Sequence, residues 1–261
     1  MDAKTALLII ISSSLFSCAR ADVRDIAKIY ADNGVEGSFL LYDLKENKYT
    51  RINPGLSREG LLPASTFKIV NSLIALEEGV IPDEDYTLEW DGTRHPFPEW
   101  ESDHTLKSAF RNSVVWFYQI LARKIGMARM RRYLGLLGYG NGDTSAGIDM
   151  FWIRGNFRVT MEQQVALLAG LHRGELPFSK RTMDIVRSIM VYERGPGYVL
   201  RAKTGLTTQG NRTIGWFIGY VERGDRVYAF ANHIEKASID DAFWDLRIET
   251  ARAILKALKV L

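Results

Sequence analysis

The chain has 261 residues, of which 46% are hydrophobic and 25% charged, and its formal net charge is +3. This length suffices for one large domain with its own core. The positive charge is spread along the sequence, so the composition gives no indication of nucleic-acid binding. Cys18 is the single cysteine, which excludes an internal disulfide and a thiolate metal site.

The N-terminus has the pattern of a secretory signal peptide. Lys4 precedes an apolar run at residues 6–16, and Ala19-Arg20-Ala21 follows as a cleavage site. The run is too short for a comfortable membrane span. We therefore predict a signal peptide at residues 1–21 and a mature protein that is secreted or periplasmic. The alternative is a lipoprotein box ending at Cys18, which would become a lipid anchor.

The rest of the chain predicts an α+β fold. Sequence patterns predict strands near both ends and mainly helices between them, which indicates one antiparallel sheet interrupted by a helical insertion. A last helix, capped by Ser238, closes the chain. Helices are expected at 22–31, 64–78, 105–112, 114–125, 127–137, 160–172 and 179–191, and strands at 38–42, 48–52, 198–203, 213–221 and 226–232.

These elements predict a single domain at residues 22–261. Residues 22–60 and 192–261 would form a sheet subdomain, and residues 61–191 a mainly helical one. The junction of two such parts is the natural place for a binding cleft.

The stretch Pro63-Ala64-Ser65-Thr66-Phe67-Lys68 opens the second helix. Pro63 marks the start of that helix, which places Ser65 in its first turn and Lys68 on the same face. A serine needs a neighbouring base to act as a nucleophile, and a lysine in an apolar site can serve, because burial disfavours its charged form. An S-x-x-K motif alone is weak, since an ordinary amphipathic helix also produces it.

Three further motifs follow in order: Ser113-Val114-Val115, Tyr139-Gly140-Asn141 and Lys203-Thr204-Gly205. Each has an ordinary explanation, namely a serine helix cap, a glycine turn and a turn at the end of a strand. Together with S-x-x-K, however, they resemble the penicillin-recognising serine enzymes. The S-x-V and Y-G-N variants are similar to those of class D β-lactamases, as are residues 88–92, 97–100 and 149–152. The resemblance extends from about Val35 to the C-terminus.

This resemblance implies a role for each matching residue. Ser65 would be the acylated nucleophile and Lys68 the general base, as an N6-carboxylysine held by the indole of Trp152. Ser113 would relay a proton to the departing lactam nitrogen, and Val115 would keep the carbamate dry. Lys203, also catalytic, would supply positive charge beside Ser113 and the substrate carboxylate. Substrate binding would involve Thr204, Gly205, Leu206 and Arg247. Within that group, Arg247 would bind the substrate carboxylate, and the N–H groups of Ser65 and Leu206 would form the oxyanion hole.

Two of these assignments have a simpler alternative: Trp152 could be a core aromatic residue, and Arg247 a solvated arginine on a helix. Other chemistries lack support, since no G-x-S-x-G motif occurs and His95, His104, His172 and His233 have no metal-ligand spacing. We therefore expect a metal-free serine β-lactamase that needs only CO₂ for Lys68, acts on small-molecule β-lactams, and is a monomer or homodimer. It would contact neither nucleic acid nor, unless lipidated at Cys18, a membrane.

Two rival functions share the fold. A β-lactam sensor would acylate and stall; such receptors carry an N-terminal membrane and metalloprotease region, which this sequence lacks. A peptidoglycan D,D-peptidase would cleave a D-Ala-D-Ala peptide, and S-x-V, Y-G-N and Trp152 argue against it.

Overall fold

The structure, a computed structural model, describes residues 23–237 and 242–261. The predicted signal peptide, Cys18 and the predicted cap at Ser238 lie outside the described residues. The helices are α1 Val23–Asp32, α2 Pro54–Ser57, α3 Lys68–Glu77, α4 Leu106–Arg111, α5 Val115–Ile125, α6 Met127–Leu137, α7 Met161–Arg173, α8 Lys180–Ile189 and α9 Phe243–Ala257. The strands are β1 Glu36–Asp43, β2 Lys48–Ile52, β3 Thr87–Leu88, β4 His104–Thr105, β5 Val191–Gly195, β6 Tyr198–Gln209, β7 Arg212–Arg223 and β8 Arg226–Lys236.

Six strands form an antiparallel sheet in the order β2-β1-β8-β7-β6-β5. The first hairpin and the closing four-stranded unit, β5 to β8, meet where β1 pairs with β8. Strand β7 is buried along nearly its whole length because side chains pack on both faces of the sheet. The predicted α+β fold is therefore confirmed.

The sheet separates two hydrophobic clusters. One packs α1 and α9 against one face, with Phe217, Phe230 and Phe243 among its buried members. The other, larger cluster packs the helices α3 and α5–α8 against the opposite face. Terminal helices and inserted helices thus cover opposite faces of the sheet. The finer division into subdomains at residues 60 and 192 stays a prediction.

Several predicted boundaries were wrong. The helix predicted from residue 64 opens as a 3₁₀ turn and becomes α3 only at Lys68, and β8 extends to Lys236, four residues past its predicted end. Two further cases concern strands β5 and β6. The helix expected at 179–191 ends at Ile189, and residues 191–195 form the edge strand β5, whose exposure alternates along its length. The Lys203-Thr204-Gly205 motif does not end a strand either, because β6 continues to Gln209 and pairs with β7 throughout. In both places hydrogen bonding to a neighbouring strand outweighs a weak local sequence signal.

Candidate active site

Ser65 lies on a 3₁₀ turn, Ala64–Phe67, that leads directly into α3. Residues i and i+3 eclipse each other in this geometry, so the turn aligns Ser65 with Lys68. The Lys68 Nζ donates a hydrogen bond to Ser65 Oγ at 2.8 Å. The predicted nucleophile and base are therefore in direct contact.

Lys68 is only 1% exposed. Burial lowers the pKa of its amine from 10.5 to about 7, because a desolvated ammonium is costly. The ring of Tyr118, on α5, lies 5.2 Å from Nζ, measured to the ring centroid. About half of the lysine is consequently a neutral amine near neutral pH, the form that can accept a proton.

Ser113 and Lys203 form the second pair in the site. Lys203 Nζ donates a hydrogen bond to Ser113 Oγ, which joins the helical part of the chain to strand β6. Burial lowers the pKa of Lys203, and the positive charges of Lys68 and Arg247 lower it further. Ser113 does not cap α5: the capping position is Val114, and Ser113 itself has a φ of +55°.

Strand β6 runs beside the Ser65 turn. A Cβ on Gly205 would lie 2.9 Å from the Pro63 carbonyl oxygen and 3.1 Å from Thr66 Cγ2. Only glycine allows the strand this close to the turn. The backbone of Leu206 follows immediately, and Thr204, Gly205 and Leu206 all line the same cleft as Ser65.

Arg247, on α9, is 8% exposed, so it is not the solvated helix arginine of the alternative interpretation. Its Nη1 donates to the Gly205 carbonyl oxygen at 2.9 Å, while its buried Nε has no hydrogen-bond partner among the described residues. Burial lowers the pKa of the guanidinium to about 10. An unpartnered buried donor beside Gly205 is suited to an anionic group of a ligand.

These residues border a cleft of about 410 Å³, the size of a small-molecule site. Phe97, Trp100 and Trp244 form an aromatic wall: the Phe97 ring lies 4.8 Å from that of Trp100 and 5.7 Å from that of Trp244. Ser65, Phe97, Glu99, Trp100, Arg111, Asn112, Ser113, Val115, Thr204, Gly205, Leu206, Trp244 and Arg247 line the cleft.

Val115 and Trp152 occupy different environments. Val115 is half-buried and lines the cleft. Trp152 is 1% exposed; its ring stacks on Phe67 at 5.2 Å, and its carbonyl oxygen accepts a hydrogen bond from the Ala64 N–H at 2.9 Å. It thus contacts both sides of Ser65, but an indole hydrogen bond to Lys68 stays a prediction.

Sequence reasoning missed several residues of the site. Tyr118 follows Ser113 by five positions on α5, and a search for aromatic residues one or two turns after the motif could have found it. Phe97 and Trp244 come together from distant segments, and no sequence pattern signals that contact.

Within residues 23–237 and 242–261, no cluster of three or more His, Cys, Asp or Glu residues could hold a metal ion. None of the described helices is long and apolar enough to cross a membrane.

Comparisons with known proteins agree with this geometry. Residues 40–256 match the family model "Penicillin binding protein transpeptidase domain". "Beta-lactamase OXA-48" of Klebsiella pneumoniae is 38% identical over 89% of this chain and 87% of its own. The crystal structure "Beta Lactamase Class D YbXI from Nostoc" superposes with a TM-score of 0.87 at 47% identity, over 90% of this chain and 99% of that one.

A regulatory relative also matches. "Regulatory protein BlaR1" of Bacillus licheniformis is 36% identical over 82% of this chain, but the match spans only 36% of the relative's length. The enzymes, in contrast, match along most of their own length. The shared fold, the contact between Ser65 and Lys68, and these matches place the chain in the class D β-lactamase family.

Proposed function

We propose that the protein hydrolyses the β-lactam ring of penicillin-type antibiotics through an acyl-enzyme on Ser65, with carboxylated Lys68 as the general base. The observation that carries this proposal is the buried Lys68 amine, 2.8 Å from Ser65 Oγ. A pKa of about 7 gives that amine a large neutral fraction near neutral pH, and the neutral amine is the form that can react with CO₂ to become the carbamate base.

Binding begins with charge. Three buried basic side chains, Lys68, Lys203 and Arg247, converge on the site, and each has a pKa below its usual value because burial disfavours the charge. A substrate carboxylate would relieve part of that cost, and the free Nε of Arg247 is a donor for it. Thr204 and Gly205, on the adjoining strand, would line the carboxylate's other side.

In acylation, Ser65 attacks the lactam carbonyl as its proton passes to carboxylated Lys68. The N–H groups of Ser65 and Leu206 would hold the developing oxyanion, an interaction usually worth about 3 kcal/mol of barrier. Ser113 would pass a proton to the departing lactam nitrogen. Its contact with Lys203 fits that role, because the amine of Lys203 can return to Ser113 the proton that Ser113 gives to the lactam nitrogen.

Deacylation needs a base for the attacking water, and class D enzymes need no metal cofactor for it. The site fits carboxylation of Lys68, since only a neutral amine reacts with CO₂ and burial provides one. As a carbamate, Lys68 would supply the base that activates the hydrolytic water. Trp152 would hold the modified group by its indole N–H, and Val115 would exclude bulk water.

We further propose that the mature protein acts outside the cytoplasm after cleavage at Ala21, as a monomer or homodimer, with a lipid anchor on Cys18 as the alternative. Its partner is the β-lactam itself, and neither nucleic acid nor a metal is expected in the site. A sensor would share the acylation step but would not release the product, so steady turnover of nitrocefin distinguishes the two functions. Turnover of a D-Ala-D-Ala peptide would instead indicate a peptidase.

The test of the base is a bicarbonate titration of degassed enzyme at pH 6, with ¹³C-labelled bicarbonate followed by NMR. We expect a labelled carbamate signal whose growth parallels the recovery of activity. Trp152→Ala should need more bicarbonate and should slow deacylation more than acylation. Without a carbamate signal or a gain in rate, Lys68 acts as a free amine and the carboxylated base is wrong.

A further inference from the structure

The Tyr139-Gly140-Asn141 segment has no part in the mechanism above, yet it connects to Ser65. Tyr139 is 2% exposed, and its hydroxyl donates to Gln164 Oε1 at 2.9 Å. Gln164, fully buried on α7, donates from Nε2 to Thr66 Oγ1 at 2.8 Å. Thr66 Oγ1 in turn donates to the Pro63 carbonyl oxygen at 2.7 Å. Three buried hydrogen bonds therefore run from Tyr139 to the turn that carries Ser65.

The donor and acceptor roles in this series of hydrogen bonds are fixed by its last member, the Pro63 carbonyl oxygen. A carbonyl oxygen can only accept, so the Thr66 hydroxyl must donate to Pro63 and accept from the Gln164 amide. The amide thereby turns its oxygen toward Tyr139, whose hydroxyl donates to it. Each group has one orientation, and a fully satisfied buried network of this kind rigidifies its surroundings.

The turn needs such support. Ala64 has a φ of +50°, a left-handed conformation that costs a non-glycine residue free energy and persists only where the surroundings impose it. On one side of Ser65, the Ala64 N–H is held by the Trp152 carbonyl oxygen. On the other side, Thr66 is held by the hydrogen bond that Gln164 donates to its hydroxyl.

Gly140 allows the Tyr139 segment to reach this position. Its φ is +80°, and a Cβ there would lie 2.3 Å from the Phe157 ring. The motif glycine therefore packs Tyr139 and Phe157 together beneath the Ser65 turn, where both rings also contact Phe67.

We propose that Tyr139 and Gln164 are positioning residues for the nucleophile: through Thr66 they hold the 63–66 turn so that Ser65 Oγ faces Lys68. This inference rests on the proposed role of Ser65 and adds a function for the Y-G-N motif and for Gln164. Small displacements of a reacting group have large effects on rate, so losing this support should reduce acylation rather than only stability.

The test compares Tyr139→Phe with Tyr30→Phe. Tyr30 is the matched control, since it is equally buried at 2% exposure and donates to Asn232 Oδ1 at 2.6 Å within the other hydrophobic cluster. The measurements are Tm and nitrocefin kcat/KM per active site, with sites counted by mass spectrometry of the acylated fraction. We expect both variants to lose Tm, but only Tyr139→Phe to lose about tenfold in kcat/KM.

Variants of Thr66 keep the test informative if Tyr139→Phe folds poorly. Thr66→Ser retains the hydroxyl and should keep near-normal kcat/KM, whereas Thr66→Val removes it and should resemble Tyr139→Phe. The double variant Tyr139→Phe with Thr66→Val should be little worse than either single one, because both break the same chain. Normal kcat/KM in Thr66→Val, or fully additive losses in the double variant, would overturn the proposal. Absence of any adduct on Ser65 in the unaltered protein would instead contradict the proposed function.

Discussion

Replacing Lys68 by methionine should abolish turnover and at the same time stabilise the fold. The amine is buried, and its pKa falls from 10.5 to about 7 on folding. Folding at pH values between these two therefore removes a proton or buries a charge, and both cost free energy. The free-energy cost of burying the Lys68 amine reaches its full value of about 5 kcal/mol well below pH 7, and it vanishes as the pH rises past 10.5. Methionine has a similar length and carries no charge, so it avoids this cost.

The shift predicts how large the gain should be. From pKa values of 7 and 10.5, the lysine opposes folding by about 4 kcal/mol at pH 7 and about 2 kcal/mol at pH 9. Loss of the hydrogen bond to Ser65 offsets about 1 kcal/mol of the gain. Removing the amine also relieves repulsion at Lys203. The net stabilisation should therefore be about 3 kcal/mol at pH 7 and clearly smaller at pH 9.

Urea unfolding in degassed, bicarbonate-free buffer at the two pH values measures this difference. The control is Lys107→Met, an exposed lysine on α4, which should change stability by less than about 0.5 kcal/mol at either pH. Added bicarbonate should narrow the gap, because carboxylation stabilises only the folded wild-type protein. If Lys68→Met were no more stable than wild type at pH 7, or if its gain in free energy of unfolding did not depend on pH, the assignment of Lys68 as a buried amine with a lowered pKa would be wrong.

Three further substitutions probe the cleft. Arg247→Ala should raise KM for penicillins by about tenfold or more and lower kcat less, because it removes the proposed hydrogen-bond donor to the substrate carboxylate. An unchanged KM in steady-state kinetics would assign that role to Lys203. Val115→Thr adds a hydroxyl to the lining of the cleft that holds Ser65 and, if Val115 keeps the proposed carbamate dry, should lengthen the acyl-enzyme lifetime in quenched-flow mass spectrometry. A wild-type lifetime would make Val115 a packing residue only. Gly205→Ala places a Cβ 2.9 Å from the Pro63 carbonyl oxygen. It should lower kcat/KM, and it should lower Tm because the crowding costs about 1–3 kcal/mol of the free energy of unfolding. Its control, Gly135→Ala on α6, meets nothing within 4 Å and should be neutral or stabilising, so equal losses would contradict the close approach of β6.

The sequence predicted those parts of the fold that depend on local patterns. The hairpin of β1 and β2 and the helices α5–α7 lie within one or two residues of their predicted bounds, and helix α3 ends one residue before its predicted end. The apolar spacing and the turn residues that signal these elements lie within the segments that form them. The edge strand β5 was missed because its strand conformation depends on pairing with β6, across a bulge, rather than on its own composition.

The site was predictable where residue order carries the information and not where three-dimensional packing does. Ser65 and Lys68 are three residues apart, so helical geometry alone placed them together. The contact between Lys203 and Ser113 spans 90 residues and followed only from family resemblance. Nothing in the sequence indicated the hydrogen bond from Gln164 to Thr66, 98 residues apart, or the left-handed backbone of Ala64 and Ser113. Those features arise from packing of distant segments.

The most direct test of the central claim is mass spectrometry of protein that is acid-quenched during turnover of benzylpenicillin. Opening of the lactam ring by a serine releases no fragment, so the account predicts a transient gain of one whole penicillin mass. Peptide mapping should place it on Ser65, and the adduct should disappear when the substrate is exhausted. Ser65→Ala should show neither adduct nor turnover. Hydrolysis without an adduct, or an adduct on another residue, would contradict the account.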